Sequence, residues 1–453
     1  MISSISVANF KSWQAMEPMR LAPITGLFGT NSSGKTSLLQ LLLLLKQTVN
    51  SSDRVVPLDF GDDRSLVNLG TLRDVLYRHD ESRTLSWKLR WDLPEELEVN
   101  DPSGGGSSFT VDSLGFGAQV LMGERRRPAV AQLHYDVGEA RFRYRRSQGA
   151  SSYRLDVEPE DSFALQRYRG RLMTLPAPVK CYGFPDQVHA NFQNVDFLAD
   201  LVLEFETLFH GISYLGPLRE HPRRQYTWGG TEPQDVGVRG ERVIDALLAA
   251  RSRGKDISPG PKKWKRSLEE YVAGHLRDLG LISHFSVDEV REGTNLYQVR
   301  VQRTPSSERV LLTDVGFGVS QILPVIVLCY YAPPGSIIIL EQPEIHLHPA
   351  VQAGLADVLI DAVAVRDVQI IVESHSEHLL QRLQRRVAEE RLAPEELALY
   401  FCEFDAGQSR LTPLDINDVG FITNWPEGFF GDPVGEAMAM TLAAQRREGR
   451  QSA

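Results

Sequence analysis

Eight consecutive residues, Gly29-Thr30-Asn31-Ser32-Ser33-Gly34-Lys35-Thr36, set two glycines, a lysine and a hydroxyl at a spacing with a well-defined use. Such a loop turns backbone N–H groups inward, and a helix starting at its end adds a positive terminus. Phosphate is the natural ligand. Lys35 is placed to reach the outer phosphates and the Thr36 hydroxyl to ligate Mg2+. Gly29, Asn31, Ser32, Ser33, Gly34 and Ser37 form the rest of the cradle. A second cluster, "SIIILEQPEIHLHP", puts Glu341 directly after an apolar β-type run. A carboxylate at the C-terminal end of a buried strand is where a metal-holding acid belongs. Its neighbour Gln342 can orient a water but cannot accept its proton. His375 directly follows the β-type run in a third segment, "QIIVES". "GFGVSQ" offers Gly316, Gly318, Ser320 and Gln321: glycines allow close backbone approach, and a serine at a helix start donates to phosphate. Read alone, it is also simply a glycine turn before an apolar helix. His346 and His348 are spaced i, i+2 with no third ligand in view, so no metal pair is expected.

These residues need particular elements to position them. "ITGLFG" (24–29) reads as a buried strand and 34–49 as a helix, the context a phosphate loop requires. Residues 82–160 read as short strands around the flexible "NDPSGGGSS", and 192–212 and 241–280 as helical. Beyond 310 the pattern alternates: "ILPVIVLCYYA" as helix or strand, "SIIIL" as strand, "PAVQAGLADVLIDAVA" as helix, "VQIIVES" as strand and "SEHLLQRLQRRVAEE" as helix. That alternation predicts a mostly parallel sheet covered by helices. Lys35 and Glu341 stand much farther apart than in compact phosphate-loop proteins, which predicts a large insertion within one nucleotide-binding unit. The expected division is 1–95 and 285–453 as the two parts of that unit, with 96–284 inserted, β-rich and then helical.

The chain has 453 residues, 42% hydrophobic and 24% charged, with net charge −10. It is therefore not a general polyanion binder. Nucleic acid would need a local basic face, for which "GERRRP" (123–128), "RFRYRRS" (141–147), "QRYRGR" (166–171) and "GPKKWKR" (260–266) are candidates. Three dispersed cysteines, Cys181, Cys329 and Cys402, suit a reducing compartment. The opening "MISSISVANFKSW" lacks signal-peptide character, and the leucine run after the loop is short of the about 20 apolar residues a span needs. A cytoplasmic protein without membrane partners is expected. No heptad pattern persists.

"EQPEIHLHP" resembles the Walker B and D-loop of ABC/SMC-type P-loop ATPases, in the branch that includes the OLD-like and related prokaryotic AAA ATPases. "LTDVGFGVSQILPV" stands where that family keeps its signature motif, "IIVESHSEHLL" where it keeps its switch histidine, and "NFKSW" resembles its opening strand. "YLGPLREHPRRQY" and "NWPEGFFGD" resemble one uncharacterised prokaryotic subgroup. The resemblance implies an α/β, ABC-type ATPase head: a mostly parallel sheet plus an antiparallel β lobe, with a large inserted β/helical region. It implies ATP and Mg2+ as cofactors, with Lys35, Thr36 and Glu341 holding them. It implies a homodimer, or higher homo-oligomer, around two nucleotides, with Gly316, Gly318, Ser320 and Gln321 acting across it. His375 would sense the terminal phosphate, His346 and His348 would shape the dimer contact, and Asn68-Leu69-Gly70 would stand in for the Q-loop.

The family's second acid is replaced by Gln342. Three outcomes are open: hydrolysis is slow, Glu344 or His375 serves instead, or a partner completes the site. The stretch after Leu380 holds acids but no D-x-D of a Toprim nuclease, so a separate effector protein, such as a nuclease, is expected. The setting the resemblance suggests is prokaryotic anti-phage defence. The competing readings are a DNA repair or maintenance ATPase acting on DNA directly, and a non-hydrolysing scaffold that uses ATP to assemble.

Overall fold

The computed structural model describes residues 1–99, 109–147, 152–160, 162–170, 172–258, 264–426, 429, 438 and 440. The chain opens with β1 (Ile2–Phe10), β2 (Trp13–Arg20) and β3 (Ile24–Gly29), followed by α1 (Lys35–Asn50) and the short α2 (Leu72–Val75). Five strands follow: β4 (Leu85–Val99), β5 (Phe109–Met122), β6 (Pro128–Val137), β7 (Ala140–Arg146) and β8 (Tyr153–Glu158). Next come α3 (Asp186–Asn191), α4 (Phe197–His210), β9 (Ile212–Leu215), β10 (Tyr226–Thr227), α5 (Val243–Ser252), β11 (Asp256–Ile257), β12 (Arg266–Ser267) and α6 (Leu268–Asp278). The last third contains β13 (His284–Glu289), β14 (Leu296–Gln302), β15 (Arg309–Leu311), α7 (Phe317–Tyr331), β16 (Ile337–Glu341), α8 (Pro349–Arg366), β17 (Gln369–Glu373), α9 (Glu377–Ala388), β18 (Leu397–Asp405) and β19 (Gln408–Leu414).

Two sheets dominate. The central one runs β19-β18-β3-β17-β16-β9, parallel throughout except for the edge strand β19. Strands β3, β17 and β16 are mainly apolar and buried over their whole length, as a sheet covered on both faces requires. The second is an antiparallel lobe, β2-β1-β4-β5-β6-β7-β8. The expected combination of parallel sheet and antiparallel lobe is present.

The pleat explains the layering. Leu27, Ile337, Ile339 and Ile371 face the core shared with α1, α4 and the lobe. Phe28, Ile338, Leu340, Ile370 and Val372 face the core built with α5 to α9. Helix α1 lies between sheet and lobe, so Leu38, Leu39 and Leu41–Leu45 are all buried. The apolar segment after "GFGVSQ" is the helix α7, with Pro324 inside it.

The segment 96–284 divides between these bodies. Strand β4 runs across residue 95, and β5 to β8 extend the sheet begun by β1 and β2. Strand β9 is in the parallel sheet, paired with β16 from Ile212↔Ile337 to Leu215↔Leu340. Among the described residues no helix is long and apolar enough to cross a membrane. The three cysteines are free and buried.

Candidate functional site

The C-terminal ends of four adjacent strands, β3, β17, β16 and β9, meet at one place, where ligands of open α/β sheets gather. The end of β3 turns sharply. Gly29 has φ 138°, and a Cβ there would meet the Cys402 carbonyl oxygen at 2.0 Å. Gly34 caps α1 in the left-handed region at φ 97°, and no side chain caps the helix. First-turn N–H groups therefore point into the loop with no side-chain acceptor, the arrangement that suits an anion. Ser33 is buried, while Asn31 and Ser32 are exposed. Trp13 braces the loop by donating to the Gly34 carbonyl at 3.1 Å, so the "NFKSW" turn positions the cradle.

Lys35 is 3% exposed, and its Nζ donates to the carbonyls of Gly29 (3.1 Å) and Thr30 (2.7 Å). Burial lowers its pKa, opposed by Glu373. The Thr36 hydroxyl lies 3.0 and 2.9 Å from the two carboxylate oxygens of Glu373. Glu373 is the residue that sequence reasoning missed. It ends β17, which intervenes between β3 and β16, and so stands nearer the loop than Glu341. The signal was in "IIVES", an acid closing an apolar run as in "IIILE".

Glu341 and Glu373 are direct partners in the parallel register. The acid pair is therefore built across two strands, whereas along the chain the pair is Glu341-Gln342. Gln342 adopts φ 43°; its N–H donates to the Glu373 carbonyl at 2.8 Å, and its side chain also donates to the Glu373 carboxylate. Burial, reinforced by Glu373, pushes the Glu341 carboxyl up to about 7, against a hydrogen bond from Tyr214 and the nearby Arg219. Burial also raises Glu373, against the hydrogen bond from Thr36 and the charge of Lys35.

His375 reaches the same place. Its backbone N–H donates to Glu344 at 2.6 Å and its ring bonds the Gly29 carbonyl; burial, with Lys35 adding to it, lowers its pKa. Glu344 is 6% exposed, its carboxyl raised by burial. The structure thus brings together Gly29, Ser33, Gly34, Lys35, Thr36, Glu341, Gln342, His375, Glu344 and Glu373.

The "GFGVSQ" residues lie elsewhere, at the start of α7. Gly316 and Phe317 are exposed, Gly318 half-buried, and Ser320 and Gln321 buried, with the Ser320 hydroxyl spent on the Phe317 carbonyl at 2.9 Å. A cavity of ≈ 660 Å³ opens beside them, with His346 on its wall. Asn68 is exposed and its amide donates to Asp63 at 3.0 Å, within its own loop. Ser37 lies in the first turn of α1. Of "NWPEGFFGD", residues 427, 428 and 430–432 lie outside the described residues.

Among the described residues no group of three or more His, Cys, Asp or Glu side chains is set to hold a metal alone. Thr36 with Glu341 and Glu373 nevertheless fits Mg2+, which binds through one or two carboxylates and takes its other ligands from water and substrate phosphates.

Comparison with known families matches the AAA ATPase domain over residues 1–84 and 262–380. A protein of unknown function (DUF3696) matches residues 392–440. A comparison with curated proteins finds no match. Among solved structures, the chain is similar to an SMC head bound to the C-winged helix domain of ScpA, with 11% identity, 91% of this chain and 98% of that chain covered, and TM-score 0.44. It is similar to the SMC head domain from Thermotoga maritima, with 10% identity, 92% and 99% covered, and TM-score 0.41. It is also similar to an Smc head domain with an extended coiled coil bound to the C-terminal domain of ScpA derived from Pyrococcus furiosus, with 10% identity, 91% and 96% covered, and TM-score 0.45. The loop Gly29–Thr36 and Glu341, Gln342, Glu373 and His375 all fall inside the two stretches that match the AAA ATPase domain.

Proposed function

We propose that the chain binds Mg-ATP at these strand ends, hydrolyses it slowly, and works as a switch that closes into a homodimer around two nucleotides. The observation that carries this reading is the Thr36–Glu373 contact beside Lys35 and His375, which assembles cation, hydroxyl, acid and histidine around one cradle. Lys35 and the loop N–H groups hold the phosphates. Thr36, Glu341 and Glu373 hold Mg2+, which would neutralise phosphate charge. Gln342 orients water without taking its proton, and Glu373 is the acid beside it, already accepting from both Thr36 and Gln342. Turnover is slow for that reason. Gly316 and Gly318, with Ser320 and Gln321 behind them, serve the partner's nucleotide. A separate effector protein reads the closed state, in the anti-phage setting that the resemblance suggests.

Direct contact with DNA is a second reading, favoured by one face of the β lobe. Cross-strand pairing places Lys88, Arg90, Arg141, Arg143, Arg145 and Arg154 on a single surface, interleaved with Asp136, Asp156 and Glu158. Arg141, Arg143 and Arg145 each pair with one of those acids, so only part of the positive charge is available. The other basic runs are scattered: Arg126 pairs with Glu81, Arg167 lies over Phe192, and residues 260–263 and 171 fall outside the described residues.

The test is Mg-ATP turnover of the purified chain beside Lys35→Ala, Gln342→Glu and Glu373→Gln, each with and without duplex DNA. Lys35→Ala is expected at background. Glu373→Gln falls by on the order of 100-fold or more while nucleotide still binds. Gln342→Glu runs faster than wild type, and stimulation by DNA supports the second reading. Wild type at the Lys35→Ala level in every condition would remove hydrolysis and leave the scaffold.

A further inference from the structure

One buried cation at this site has no described partner to account for it. Arg219 follows β9, the edge strand beside β16. Backbone bonds on both sides fix its turn: the Gly216 N–H donates to the Val238 carbonyl and the Glu220 N–H to the Arg239 carbonyl, both at 2.8 Å. Arg219 is 7% exposed. Nε and Nη1 have no hydrogen-bond partner, and Nη2 has only the Glu341 carbonyl, at 3.5 Å. Among the described residues it makes no ion pair, although Tyr214, Glu341 and Glu344 surround it. Glu344 Oε2 is likewise without a partner.

A guanidinium taken out of water with two of its nitrogens unsatisfied is costly, and such groups persist where something pairs with them. The geometry names the pairing group. Lys35 stands at the end of β3 and Arg219 beyond the end of β9, with β17 and β16 between. Three strand spacings separate β3 from β9, about 14 Å. A triphosphate whose outer phosphates Lys35 reaches would carry its third phosphate toward the ends of β17 and β16, the side on which Glu341 and Arg219 lie, and a diphosphate would lack that group. The planar fork of arginine suits bidentate contact with phosphate oxygens, which a point charge does not reproduce.

We propose that Arg219 reads the terminal phosphate of a bound nucleoside triphosphate and sets the preference of the site for triphosphate over diphosphate. The proposal rests on Gly29–Thr36 being the phosphate loop. It gives the inserted segment a direct part in nucleotide recognition, because β9 and Arg219 lie outside both stretches that match the ATPase domain.

Calorimetric titration of the full chain with ADP and with ATPγS, both with Mg2+, tests it on wild type, Arg219→Gln, Arg219→Lys and Lys35→Ala. Arg219→Gln should weaken ATPγS by on the order of 10- to 100-fold and ADP by no more than about threefold, the scale of lost charge-assisted hydrogen bonds. Arg219→Lys should fall between. ADP binding doubles as the folding control. If Arg219→Gln leaves the ATPγS-to-ADP ratio at the wild-type value while Lys35→Ala abolishes ADP binding, the loop reading stands and the Arg219 proposal falls. If wild type binds neither probe, the loop reading falls and takes the proposal with it.

Discussion

Glu341 and Glu373 sit side by side at the ends of neighbouring strands, both buried. Two carboxylates so placed do not ionise together readily in low dielectric. Glu341 is pushed up to about 7 from an ordinary 4.5, so the folded chain binds a proton there that the unfolded chain has released. An acid raised in this way weakens the fold as pH climbs from about 4.5 to about 7, and the loss is complete above that. The shift corresponds to about 3 kcal/mol at 1.36 kcal/mol per pH unit. Glu341→Gln is neutral at every pH and escapes the loss. The Tm of Glu341→Gln minus that of wild type, without nucleotide or divalent metal, should therefore be near zero at pH 5 and clearly positive by pH 8. A flat difference would mean that Glu341 is ionised at little cost. The same neighbourhood explains what the sequence could and could not convey. Gly29–Thr36, Glu341 and His375 were legible because each is a local pattern. Glu373 was not, since its importance comes from Thr36, a residue distant in the chain that only the strand order β3-β17-β16 brings within a hydrogen bond.

At the scale of elements, Lys46 ties α1 to the junction of α4 and β9. It lies on α1, 9% exposed, and its Nζ donates to the carbonyls of Phe209 (3.4 Å), His210 (3.4 Å) and Ile212 (2.5 Å). A cation at the C-terminus of α4 satisfies carbonyls the helix leaves open and favours the helix dipole. Helix α1 is thereby tied to the start of β9, and Arg219 lies four residues beyond the other end of that strand. Lys46→Met keeps the apolar stem and removes these bonds, at a cost of about 2 kcal/mol. Hydrogen exchange should then accelerate in Ile212–Leu215 more than in β17, which has strand partners on both sides. Equal protection in both variants would show that β16 alone holds β9. Here too the pattern of legibility is physical. The alternation after 310 announced β16, α8, β17 and α9, because covered parallel strands read as apolar runs. "ISYL" gave no such sign: four residues, one glycine after α4, are too short for a period, and pairing with β16 alone makes them a strand.

The whole molecule carries net charge −10, so two copies repel at long range and any dimer needs a local attraction to overcome this. In the proposed dimer, nucleotide bridging would supply it, and the start of α7 is the surface proposed to meet the partner's nucleotide. Phe317 is 56% exposed there, with its ring 5.5 Å from that of His221 and 6.3 Å from that of His346. A large apolar side chain in such a place is costly in water and useful when covered. An aspartate would add like charge where a partner's phosphates approach, while sitting far enough out to spare the core. With Mg2+ and saturating ATPγS, sedimentation should show wild type moving from the 50.8 kDa monomer to twice that mass, and with ADP it should not. Phe317→Asp should stay at the monomer mass while binding ADP as wild type does. A wild type that remains monomeric with ATPγS would remove the nucleotide sandwich. A Phe317→Asp that dimerises normally would place the contact on another surface, since no tightly packed interface tolerates a buried unpaired carboxylate at its centre.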